Sequence, residues 1–189
     1  MAYCHCGFTW VRWLVTVMFA LAATGCATSL HAQEAFVGVY AHGVDTPFTL
    51  ETGEGGVDLA AGYRFAPLEE LRAIGRPAPY LIASLNTRGD TSFAGAGLSW
   101  TIGNGPFYLR PAIALVVHDA PEQRVSPETG FRTDLGSRVL FELEIGVGYR
   151  LDGRTSLEAS WMHISQGQIF DSQQNPGIDM IGVRISRRL

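Results

Sequence analysis

Between residues 139 and 149 the chain alternates strictly: Phe141, Leu143, Ile145, Val147 and Tyr149 share one parity, and Glu142, Glu144, Gly146 and Gly148 share the other. Successive side chains of a strand point to opposite faces, so a period of two describes a sheet with one apolar and one polar side. Residues 57–65 repeat the pattern, with Val57, Leu59, Ala61, Tyr63 and Phe65 opposed to Asp58, Ala60, Gly62 and Arg64. In 106–118, Arg110 opposes Phe107, Leu109, Ile113, Leu115 and Val117. Segments near 35–42, 56–66, 79–87, 92–102, 106–118, 136–150, 154–165 and 178–188 read as eight strands, separated by Gly, Pro, Asp, Asn or Ser. The one helix-like stretch, "APLEELRAIG", is short and bounded by Pro67 and Pro77.

The sense of the alternation decides which side of the sheet meets solvent. A soluble barrel fills its interior with the apolar set and covers its outside with solvated side chains, but lysine is absent from this chain and charged residues make up only 17% of it. The polar parity combines glycine and alanine with charges of both signs, as a narrow closed interior requires: Asp58, Glu142, Glu144 and Glu158 against Arg64, Arg110 and Arg184. The apolar parity then faces lipid. In hydrocarbon a sheet must close so that no strand edge is left unpaired. The expected fold class is all-β, an eight-stranded antiparallel transmembrane β-barrel. A soluble periplasmic ligand-binding barrel needs an apolar interior, and the inward Glu and Arg speak against it.

Residues 1–32 read as a signal peptide: Arg12 precedes the apolar run "WLVTVMFALAATG", which small residues follow. Cleavage after Ala32 is expected, with Ala27 and Ser29 as alternatives, leaving residues 33–189 as the outer-membrane barrel. Cys4, Cys6 and Cys26 all fall inside this leader, so the barrel itself has no thiol. "ATGC" loosely resembles a lipoprotein processing site, although Ala23 stands where leucine is usual. The net charge of −4 offers no basic patch for nucleic acid. "TGEGG" and "GAGLSW" lack the remainder of a phosphate loop and read as turns and interior glycines. His118 and Asp119 make too few ligands for a metal site and read as a loop. No cofactor is implied.

The stretch "HISQGQIFDSQQNPGID", residues 163–179, carries the chemistry. In the seventh strand Leu157, Ala159 and Trp161 face lipid, and two further steps of two place His163 and Ser165 on the same side. In the eighth, Ile181, Val183 and Ile185 face lipid, and stepping back by two places Asp179 there. Antiparallel neighbours bring residues on either side of their loop together, so the three gather on one external patch. Each residue alone is an ordinary strand-end or turn residue. Three polar groups on the apolar parity of two adjacent strands are costly unless partnered. A serine needs a base to take its proton, and that base an acid to fix its tautomer.

These residues carry a resemblance. The H-x-S step in a penultimate strand, followed by "NPGID" and a final strand, resembles the PagL-type lipid A 3-O-deacylases of Gram-negative outer membranes, most strongly over roughly 136–189. The resemblance implies an eight-stranded barrel that removes the ester-linked 3-hydroxyacyl chain at the 3 position of lipid A in the outer leaflet. It implies Ser165 as nucleophile, His163 as general base, Asp179 as orienting acid and Asn175 as an oxyanion-hole contributor. Gly167 gives the backbone room to present an N–H there, although which amide does so is left open. The chain departs from the family in two places: Gln166 stands where Asn usually follows the serine, and Asp179 where the acid is usually Glu. A non-catalytic structural or adhesion barrel is the alternative, and whether the barrel forms a homodimer is left open.

Overall fold

The computed structural model describes residues 33–47, 49, 53–120, 124, 125, 132, 133, 135–167, 169 and 176–189. Its strands are β1 (Glu34–His42), β2 (Val57–Arg64), β3 (Ala78–Asn86), β4 (Phe93–Ser99), β5 (Phe107–His118), β6 (Arg124–Val125), β7 (Arg132–Thr133), β8 (Val139–Arg150), β9 (Thr155–Ser165) and β10 (Ile178–Arg188). Eight of them close into an antiparallel barrel in the order β1-β10-β9-β8-β5-β4-β3-β2. The short β6 and β7 pair only with each other, within the β5–β8 connection. The "APLEELRAIG" stretch contains a 3-10 helix, Glu69–Ile74, closed by Gly75 at φ 92°. The leader lies outside the described residues.

Parity runs as the alternation requires. Val37, Leu59, Leu109, Leu115, Val147, Leu157, Val183 and Ile185 are all exposed on the outside. Asp58, Arg64, Arg110, Glu142, Glu144, Glu158 and Arg184 are all buried inside. An apolar band of this extent is tolerable only against lipid. At the end of the barrel that carries both termini, aromatic pairs Tyr63–Phe65 and Phe107–Tyr149 stand with ring centroids 5.0 and 4.9 Å apart, a position at which aromatic girdles meet headgroups.

Inside, the charges neutralise one another. Glu34 accepts from Arg64 at 2.6 Å and Arg110 at 2.7 Å, while Arg110 Nε lies 3.1 Å from Glu158. Arg184 reaches Glu144 at 2.7 Å and also bonds Glu158. Tyr80 donates to Glu142. Three guanidiniums thus face the carboxylates of Glu34, Glu144 and Glu158, and two of them also lie over an aromatic ring: Arg64 Cζ is 4.5 Å and Arg184 Cζ 4.9 Å from the Phe36 ring centroid. Large inward groups need small neighbours. A Cβ on Gly148 would lie 2.0 Å from the Tyr108 ring and one on Gly182 2.5 Å from that of Tyr40. Beyond these charges lies an apolar layer, with Ile82, Phe93, Val116, Leu140, Met162, Ile164, Ile178 and Met180 buried.

The β8–β9 hairpin is closed by a side-chain cap. Asp152 accepts from the N–H groups of Arg154 and Thr155, each at 2.7 Å. These donors hold its carboxyl below the usual carboxylate range and fix the turn.

Arg184→Met is expected to lower the temperature at which the folded barrel loses its gel mobility. It leaves Glu144 and Glu158 buried without their shared cation, a loss of about 3–5 kcal/mol. Val183→Ala, one residue away on the lipid side, is expected to shift the transition far less. Equal midpoints for the two variants would show that the interior charges do not hold the barrel.

Candidate active site

β9 ends at Ser165 and β10 begins at Ile178, so the site sits at the barrel end remote from the termini. The β9–β10 ladder places Asp179 directly opposite His163 and Met162 opposite Met180. His163, Ser165 and Asp179 therefore share the outer parity of Leu157 and Ile181. Their side chains form a continuous chain: Asp179 Oδ1 lies 2.8 Å from His163 Nδ1, and His163 Nε2 lies 3.0 Å from Ser165 Oγ. An ionised carboxylate only accepts, so Nδ1 carries the proton. Nε2 of the neutral ring is then free to accept from the serine hydroxyl.

The patch faces outward but is covered. Relative exposures are 7% for Ser165, 9% for His163 and 1% for Asp179. Trp161, placed on the lipid face by parity, lies beside the imidazole with ring centroids 6.0 Å apart, and its indole N–H donates to Asp179 Oδ1 at 3.0 Å. The Gly177 backbone also lies against the ring, where an added Cβ would come within 2.2 Å of His163 Cε1. From the β1–β2 connection, the Val44 N–H donates to the Asp179 carbonyl at 2.9 Å, and the Thr46 hydroxyl donates to Asp179 Oδ2. Asp179 thus receives side-chain donors on both oxygens, an arrangement that stabilises a carboxylate.

The cross-strand position of Asp179 brings its carboxylate within reach of the imidazole. Directly opposed residues have Cα atoms about 4.5–5.5 Å apart, a span that an aspartate covers. Trp161, Thr46 and Gly177 are additions to the residues singled out from the sequence. The "NPG" motif was the available signal for Gly177, while nothing local marks Thr46. Gln166, after the serine, is fully buried. Gly167 follows in a turn with φ 64°, a conformation that favours glycine. Asn175 lies outside the described residues.

Other polar groups have structural partners. Ser160 faces inward, 2.9 Å from the Tyr40 hydroxyl. His118 Nε2 lies 2.7 Å from the Ser137 carbonyl, its Nδ1 accepts from Ala120 N–H, and Asp119 accepts from Ser92 N–H at 2.7 Å. Burial pushes the Asp119 carboxyl up from its ordinary range. Among the described residues no three His, Cys, Asp or Glu side chains are placed so that they could hold a metal ion.

A family model described as lipid A 3-O-deacylase (PagL) matches residues 56–188. Among solved structures, the outer membrane enzyme PagL aligns with a TM-score of 0.54 at 15% identity, covering 82% of this chain and 99% of that one. At that identity the likeness is one of fold. Neisserial surface protein A (NspA) aligns with a TM-score of 0.48 at 13% identity, covering 83% of this chain and 97% of that one. No curated protein sequence matches the chain.

Gly177→Ala is expected to displace the imidazole without disturbing the barrel. Phosphonylation of Ser165 by a serine-directed phosphonate should slow by about 10-fold or more, with heat-induced mobility shift unchanged. Labelling at the wild-type rate would mean that the Gly177 backbone does not seat the ring.

Proposed function

The chain belongs to the PagL family of lipid A 3-O-deacylases, and from that membership we propose that it removes the ester-linked 3-hydroxyacyl chain at the 3 position of lipid A by a serine, histidine and aspartate mechanism. The barrel is an outer-membrane protein, and its substrate is the lipopolysaccharide of the outer leaflet. The observation that carries the reading is the unbroken hydrogen-bond chain from Ser165 through His163 to Asp179 on the lipid-facing side of two paired strands.

In this mechanism Ser165 Oγ attacks the ester carbonyl while His163 Nε2 takes its proton. The Asp179 carboxylate holds Nδ1–H and balances the imidazolium, without itself being protonated. Collapse of the tetrahedral intermediate breaks the bond to the sugar oxygen, which leaves as the 3-hydroxyl after receiving the proton from Nε2. Water, deprotonated by the same nitrogen, then attacks the acyl-serine. The 3-hydroxy fatty acid departs and Ser165 recovers its proton. The reaction calls for no cofactor. We assign the oxyanion to backbone N–H donors in the turn at Gly167 and to Asn175.

The outward parity explains how a membrane-embedded ester reaches the serine. Ser165 stands opposite Phe141 and His163 opposite Leu143 on β8. Leu143 is exposed to lipid, so an acyl chain can lie along this wall with its ester at the barrel mouth. The substrate need not enter the charged interior.

Mass spectrometry of lipid A incubated with purified barrel tests the reading. Ser165→Ala is expected to abolish release of the 3-hydroxy fatty acid and leave the heat-modifiable fold intact, whereas Ser160→Ala, inside the barrel, should keep most of the activity. Essentiality of Ser160 with dispensability of Ser165 would reverse the faces and defeat the mechanism.

The acid is tested separately. Asp179→Asn is expected to lower turnover by about 10²–10⁴-fold, since the amide leaves the imidazolium without a counter-charge. Asp179→Glu keeps that charge and should retain far more activity. Equal turnover in the three proteins would leave a Ser165–His163 dyad.

A further inference from the structure

We propose that Thr46 is a positioning residue for the reaction, held in place by an ion-pair anchor in the barrel mouth, so that the chain leaving β1 completes the site. The inference rests on the hydrolase reading above. It begins from strand order: β10 lies between β9 and β1. The chain leaving β1 at His42 therefore emerges beside Asp179, on the side away from His163.

Thr46 does there what neither strand can do. Asp179 Oδ1 is shared between His163 Nδ1 and Trp161 Nε1, while Oδ2 takes the Thr46 hydroxyl. A carboxylate gripped at both oxygens cannot turn about its Cβ–Cγ bond without losing a charge-assisted bond. Thr46 thereby keeps Oδ1 aimed at the imidazole, as an orienting acid requires.

A hydroxyl on a wandering loop would position nothing, and this loop is fastened at several points. Thr46 N–H donates to Thr49 Oγ1 and Thr49 N–H to the Thr46 carbonyl, each at 3.3 Å, tying the two residues together. His42 N–H donates to the Gly56 carbonyl at 3.0 Å, drawing the two ends of the connection together. Gly43 has φ 65° and no room for a Cβ, which would fall 2.4 Å from the Glu54 carbonyl oxygen. Inside the mouth His42 Nε2 lies 2.7 Å from Glu54 and Nδ1 2.8 Å from Asp58, all three side chains fully buried. Ionised carboxylates accept only, so this ring carries both protons and the trio is a charged clamp. Glu54 is held in turn by Thr91, whose hydroxyl and N–H donate to it at 2.7 and 3.1 Å. An anchor on the inside of the barrel thus fixes a hydroxyl on the outside.

The test compares steady-state lipid A deacylation by wild type, Ser165→Ala, Thr46→Val, Thr46→Ser, Glu54→Ala and the Thr46→Val/Glu54→Ala double variant, each shown to be folded by its heat-induced mobility shift. Thr46→Val removes the hydroxyl at constant shape and is expected to lower kcat by about 10-fold or more with KM little changed. Thr46→Ser should restore most of it. Glu54→Ala should lower kcat as well, and the double variant should be no worse than the poorer single one, because both act through one contact. Should Glu54→Ala fail to fold, the two Thr46 variants decide alone. Wild-type kcat in Thr46→Val, a loss confined to KM, no rescue by serine, or multiplying losses in the double variant would each overturn the positioning role while leaving the hydrolase reading standing. A wild-type barrel no more active than Ser165→Ala would end both.

Discussion

The β9–β10 ladder is the interaction on which the rest of the molecule depends. In that one ladder Glu158 stands opposite Arg184 inside the barrel, and His163 stands opposite Asp179 outside it. The members of each strand are five residues apart, an odd number, which puts the two pairs on opposite faces. A slip of one residue would turn Arg184 toward lipid and Asp179 toward the interior. Hydrocarbon around the barrel forbids this slip strongly, since a guanidinium at the lipid face and an unpaired edge are both heavily penalised. The same force that neutralises the interior therefore also sets the register of the site.

A polar triad on a lipid-facing parity is an exception to the pattern that builds the barrel, and the structure shows how it is accommodated. None of the three side chains is left to face hydrocarbon alone. The acid accepts from His163, Trp161 and Thr46, the imidazole bonds at both nitrogens, and the backbone at Gly177 closes over the ring. Satisfied groups of this kind carry little desolvation penalty. Placing the triad outside leaves the interior free to be filled with compensating charge.

Much of this was legible in the alternation. Eight segments gave eight barrel strands within a few residues, and parity alone distinguished Ser165 from Ser160 and turned both Arg184 and Glu158 inward. The signal was strong because hydrocarbon makes the two faces chemically different over many consecutive residues. It weakened where that contrast ends. Glu34 lies just before the first alternating segment, yet it carries the arginine pair Arg64 and Arg110. Glu54 belongs to a glycine-rich turn, and Gly53 and Gly56 do have φ of 69° and 97°, but its side chain reaches back into the mouth to His42. The β6–β7 pair is two residues per strand, too short for a period to show. Thr46 is 133 positions from the aspartate it touches, and only closure of β1 on β10 brings them together. Trp161 was read correctly as outward, but parity says nothing of where an indole N–H points.

The substitution of aspartate for the usual acid fits this arrangement. The shorter side chain stays close to the ladder, where the residue opposite is His163 itself, and its Oδ1 meets Nδ1 at 2.8 Å. Its second oxygen then faces away from β9, toward the strand on the other flank of β10. That strand is β1, and the chain beyond it supplies the Val44 N–H to the Asp179 carbonyl and the Thr46 hydroxyl to Oδ2. An acid one methylene longer would have to meet both partners in a different side-chain conformation. The short acid, the cross-strand pairing and the arm from β1 are thus one geometric solution, in which barrel closure completes the environment of a site that two strands alone leave open on one side.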